Sequence, residues 1–179
     1  MDEKTKFGDN MAASLISAND LREIMPAPYF EFHFECFDRD GNLKWSEHVR
    51  NTVTTEGKNS ILDVYFDAAT QITSWYLGLK GTGTAAVGDT LASHAGWTEL
   101  TSYTGNRGAI TWGEPSGGSL SASSAISFAI TGTMTVAGAF ISSVATGTAG
   151  TLYSAGDFSG SRSVINGDTL NVTPTVTAS

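Results

Sequence analysis

The chain has one cysteine, Cys36, among 179 residues, so it can form no internal disulfide. Positive charge is scarce: ten Lys and Arg stand against eighteen Asp and Glu, for a net charge of −8. A nucleic-acid binder needs a basic face, so that class is set aside. No apolar run approaches the ~20 residues of a membrane-crossing helix, and no membrane partner is expected. The opening Met1-Asp-Glu-Lys-Thr-Lys6 carries charge with no apolar stretch soon after, so no secretory leader is expected and synthesis in a cytoplasm is. Charge of either sign is sparse late in the chain. From Gly108 to Ser179 only Glu114, Asp157, Arg162 and Asp168 carry any. Either serine and threonine supply the surface polarity there, or a partner covers part of it. The length suits one domain with an arm to spare, with a core large enough to need no metal or disulfide staple.

What is present is mostly β pattern. Tyr29 to Phe37 alternates, with Phe30, Phe32, Phe34 and Cys36 on one side and Glu31, His33 and Glu35 on the other. Asp40-Gly41 signals a hairpin turn, and Leu43 to Arg50 returns with Leu43, Trp45 and Val49 on one face. A helix is predicted next: Ile61, Leu62, Tyr65 and Phe66 share a face, and Thr54 or Thr55 can cap its start. It is either a plug for one open end of the core or an ordinary surface helix. Further strands are expected over 71–79, 109–112, 126–130, 134–141, 151–153 and 169–177. Pro174 makes the last an edge or bulged strand, because proline cannot donate to a ladder. About eight or nine short strands separated by turn signals indicate a sandwich, jelly roll or small barrel.

Residues 1–28 are set off as an N-terminal arm, with 29–179 as the β domain. Leu15, Ile16, Leu21, Ile24 and Met25 are the arm's apolar residues and its candidate partner-binding set. Ser17, Asn19 or Asp20 can cap a short helix over 20–25, and Pro26 with Pro28 ends it.

No catalytic residue, cofactor site or metal site is assigned. His33, His48 and His94 lack metal-ligand spacing, although His33 and His48 can meet across the first hairpin. Asp38-x-Asp40-Gly-Asn42 has its glycine at the fourth position where an EF-hand needs it at the sixth, and a hairpin turn accounts for the same residues. There is no G-x-S-x-G, and Gly78, Gly81 and Gly83 form neither a phosphate loop nor a dinucleotide fingerprint. Glu99 and Arg107 suit a structural ion pair, and Cys36 a core thiol. Asn171-Val-Thr173 fits the glycosylation pattern but is expected to be strand.

The order of several segments resembles a group of small virion structural proteins of tailed bacteriophages. The residues that carry it are Phe34-Glu-Cys-Phe-Asp-Arg-Asp-Gly-Asn-Leu-Lys-Trp45, Asn51-Thr-Val-Thr-Thr-Glu-Gly57, Ile61-Leu-Asp63 and Trp75-Tyr-Leu-Gly-Leu79. Gly88-Asp-Thr-Leu-Ala-Ser-His-Ala-Gly-Trp-Thr-Glu99, Tyr103, Arg107, Gly138-Ala-Phe140, Gly150-Thr-Leu152 and Gly167-Asp-Thr-Leu-Asn-Val-Thr173 continue it. It spans roughly residues 30 to 177 and leaves the arm outside. The resemblance implies a non-enzymatic particle component, made in the host cytoplasm and residing in the virion.

The expected fold is all-β: a jelly-roll-like antiparallel sandwich with one short helix and an extended N-terminal arm. The expected function is a capsid decoration or cement protein, forming a homo-oligomer and contacting the major capsid protein or other virion proteins. The alternative is a receptor- or glycan-binding module of a head or tail fibre, with Trp97, Tyr103 and Trp112 as an exposed sugar platform.

Overall fold

A computed structural model describes residues 28–178. The arm, with Leu15, Ile16, Leu21, Ile24 and Met25, lies outside the described residues. The rest is an antiparallel β-sandwich with one helix, the class expected.

The first hairpin forms as its alternation dictates. β1 (Tyr29–Phe37) buries Phe30, Phe32, Phe34 and Cys36. The Asp38 side chain closes the turn, accepting from the Asp40 and Asn42 backbone N–H groups at 2.9 Å each, and Gly41 takes the positive φ of 83°. The carboxylate that a calcium loop would offer is thus engaged by its own turn. β2 (Leu43–Arg50) turns Trp45 and Val49 inward. Leu43 is instead exposed: the register shifts between Cys36 and Phe37, and a one-residue slip moves a side chain to the other face.

After the short β3 (Thr52–Val53), Thr54 caps helix α1 (Thr55–Phe66) by accepting from the Gly57 N–H at 3.0 Å. β4 (Trp75–Lys80) begins later than the apolar pattern suggests, and residues 71–74 are not strand. β5 (Glu99–Leu100), β6 (Gly108–Ile110), β7 (Ser119–Ser121) and β8 (Ile126–Ala129) are short. β9 (Met134–Ser142) and β10 (Leu152–Val164) pair with two register shifts, and β11 (Thr169–Thr177) closes the fold.

One sheet runs β2-β1-β11, with β7 and β8 both on the far side of β11. The other runs β3-β10-β9-β4, with β5 and β6 both on β4. The first and last strands therefore pair, Phe32 opposite Pro174. This corrects the edge-strand expectation, because β11 is paired on both sides. Pro174 is tolerated because β8 pairs up to Val172 and β7 starts at Thr175. Its carbonyl accepts from Ala122 N–H at 3.0 Å, so its missing donor faces that changeover and no ladder bond is lost.

The main core lies between the sheets, where Phe32, Phe34 and Phe128 meet Leu77, Leu79 and Ile141. A second cluster sits on the outer face of the β10-β9-β4 sheet: Leu91 and Trp97, from the irregular segment over 81–98, cover Phe140, Leu152 and Ala155. Buried on both faces, β9 reads as a near-continuous apolar run.

Candidate functional site

Four segments far apart in sequence bring aromatic rings to one end of the sandwich. Phe30 comes from β1, Trp75 from β4, Tyr153 from β10, and Trp112 from the segment after β6. Their contacts are edge-to-face or tilted: Trp75 to Tyr153 at 4.8 Å, Phe30 to Tyr153 at 5.1 Å, Phe30 to Trp112 at 6.3 Å. With Leu120, Ile141 and Val176 these rings line an apolar cleft of about 160 Å³. Burial pushes the Tyr153 phenol up to about 12, so it stays neutral.

Helix α1 extends this end. Its first turn is fixed by polar contacts: Thr54 N–H donates to Tyr153 O at 3.1 Å, and Thr55 N–H to Val87 O at 2.7 Å. The Glu56 carboxylate accepts from Leu152 N–H at 2.7 Å. A Cβ on Gly57 would stand 2.2 Å from Tyr153 O, so only glycine lets the helix approach the sheet this closely. Farther along, Ile61, Val64 and Tyr65 face Ile72, Trp75 and Tyr153 across a second cleft of about 200 Å³. The two clefts share Trp75 and Tyr153 and make one apolar trough.

The predicted apolar face of α1 divides. Ile61 packs against the core, whereas Leu62, Tyr65 and Phe66 are 53, 80 and 76 % exposed. The helix is therefore a surface helix anchored at its start, and not a plug. Leu62, Tyr65 and Phe66 thus form an exposed apolar group beside these clefts.

The other candidates are placed as follows. His33 and His48 do pair across the hairpin, ring centroids 6.2 Å apart, on the solvent side. Among the described residues no group of three or more His, Cys, Asp or Glu is close enough to hold a metal. Arg107 and Glu99 form a two-pronged ion pair at 2.7 and 2.8 Å. Arg107 also donates to the carbonyls of Val144 and Gly147, which makes the pair a clasp on the loop after β9. Asn171 lies inside β11, opposite Glu35 and Ser127. Cys36 is buried, and burial first, then the Asp168 carboxylate, pushes its thiol up to about 11.

The sugar platform is not formed. Trp97 and Tyr103 are only 3 and 6 % exposed. Trp97 is stacked under His94 at 4.0 Å, and its indole N–H donates to Asp89 Oδ2 at 2.9 Å. Tyr103 packs edge-on against Phe128 at 4.8 Å. Both rings serve the fold: Trp97 is buried with its polar tip bonded, and Tyr103 packs its ring on the core. The three rings line three different clefts, Trp97 beside His94, Tyr103 beside Arg107 and Trp112 beside Phe30, so they form no shared platform.

Among the described residues no helix is long and apolar enough to cross a membrane. No family model matches the chain, and no curated protein matches it.

Proposed function

We propose that this chain is a structural subunit of a tailed-phage virion, a decoration or cement protein that binds the head shell from outside. The observation that carries the reading is the exposed Leu62, Tyr65 and Phe66 beside the trough of Phe30, Trp75 and Tyr153. A subunit that works inside an assembly has neighbours to cover such a face. Two further points support it. The resemblance covers about the whole β domain, and the apolar residues among 15–25 suit a tether to a neighbouring subunit. Buried against a neighbour, each can contribute up to ~1.5–3 kcal/mol, less the cost of ordering the backbone.

The fibre-module reading loses its specific support, since Trp97 and Tyr103 are buried. Deleting residues 1–25 tests the proposal. The truncated protein is expected to melt almost as the full chain does, and to be lost from particles assembled with it. Full occupancy by the truncated protein would contradict anchoring by the arm.

A further inference from the structure

We propose that Leu21, Ile24 and Met25 of a second copy of this chain seat in the trough between helix α1 and the aromatic end of the sandwich. The inference rests on reading residues 1–28 as an arm, and is independent of the virion assignment.

The trough suits side-chain anchors better than a free ligand. Its two clefts, about 160 and 200 Å³, each fall below the ~300 Å³ at which small-molecule pockets begin. Tyr153 and Trp75 form the ridge between them, and their walls are mostly apolar, with Ser60 and Gln71 at the helix side. An amphipathic helix laid in such a groove presents anchors at i, i+3 and i+4. Leu21, Ile24 and Met25 have that spacing, and Asn19 or Asp20 precedes them as a cap.

The exit of the chain sets the source. The described residues begin at Pro28, two positions before Phe30, which lines the first cleft. The arm therefore starts at the rim of its own trough. β1 runs from this end toward Phe37, so the chain enters the sandwich at the trough end. Pro26-Ala27-Pro28 favours extended backbone, which advances ~3.1 Å per residue and resists the tight reversal needed to return Met25 to Phe30. The anchors are carried outward to a neighbour. Each copy then gives an arm and accepts one, the arrangement that closes a symmetric oligomer.

The test uses full-length chains. One carries Ile24→Cys, the other Val176→Cys, and they are mixed under mild oxidation. Cys36, fully buried, stays out of the exchange. A disulfide-linked heterodimer well above the yield of either chain alone is expected. In parallel, Ile24→Asp with Met25→Asp is expected to keep the melting curve while light scattering shows the mass falling to a single protomer. No heterodimer, or an unchanged mass, overturns the proposal. So does a closed intrachain disulfide when both cysteines are placed in one chain, because the arm then returns to its own trough. A failed cross-link alongside lost particle incorporation on deleting 1–25 would remove this trough as the receptor and leave the anchoring role standing.

Discussion

Lys80 Nζ lies 2.6 Å from Asp157 Oδ1, and no part of Lys80 is exposed. The pair spans β9, joining the end of β4 to β10, and the contact is ionic without the angle of a hydrogen bond. The ammonium also donates to the carbonyls of Gly81 and Gly83, at the start of the segment that covers the second core cluster. A buried charge left without its counter-charge is costly.

Asp157→Ala is therefore expected to destabilise by about 2–4 kcal/mol, somewhat under the ~3–5 usual for breaking a buried pair, because two carbonyls still accept from Lys80. Lys80→Met, which removes the charge and keeps the volume, is expected to cost less than Asp157→Ala. Urea unfolding midpoints of the two variants check the order.

Phe32→Ala is expected to cost ~3–5 kcal/mol, since Phe32 is fully buried between the sheets and its loss leaves a cavity. Phe37, half-buried beside the turn, is expected to matter less when replaced by Ala. Equal melting temperatures for the two variants would contradict the placement of the core.

Gly57→Ala opposes two effects. Alanine favours a helix over glycine by ~1 kcal/mol, but its Cβ would meet the Tyr153 carbonyl at 2.2 Å. Backbone cannot give that much, so the clash wins, and a net loss of ~1–3 kcal/mol is expected. Lys58→Ala, on the exposed side, is expected to stay within ~0.5 kcal/mol. Thermal melts of both decide it.

Stability is expected to fall as pH rises past 9. The Cys36 thiol ionises near 9.0 when unfolded but is held to about 11 when folded. Between those values the unfolded chain loses a proton that the folded chain keeps, so rising pH favours unfolding, by about 2–3 kcal/mol at completion. Tyr103 and Tyr153, each raised from 10.0 to about 12 by burial, add to the loss above pH 10. From pH 9 to 10 Cys36 makes the largest single contribution, because the unfolded tyrosines are only partly ionised there. Cys36→Ala is expected to flatten the stability curve there, and an unchanged slope would contradict the burial of the thiol.

The strands legible in the sequence are those whose alternation comes from large apolar residues: Phe30/Phe32/Phe34 in β1 and Leu170/Val172 in β11. β10 was legible only as far as Tyr153, because Ser154, Gly156, Ser159, Gly160 and Ser161 have low strand propensity and the pairing with β9 decides their state. The Glu99–Arg107 clasp followed from charge and short separation. The aromatic trough did not: Phe30, Trp75, Trp112 and Tyr153 have no shared spacing, and only the pairing of β1 with β11 and of β4 with β9 brings them together. The exposure of Tyr65 and Phe66 was likewise hidden, since helical periodicity marks a face without saying what it faces.

The most direct test of the central claim is the number of copies of this protein in purified, gradient-banded virions, measured by quantitative mass spectrometry against the major capsid protein. A decoration role predicts on the order of hundreds of copies per particle, in a fixed ratio set by the symmetry of the shell. A dozen copies or fewer would shift the protein to a fibre or tail position, and its absence from the particles would contradict the virion assignment altogether.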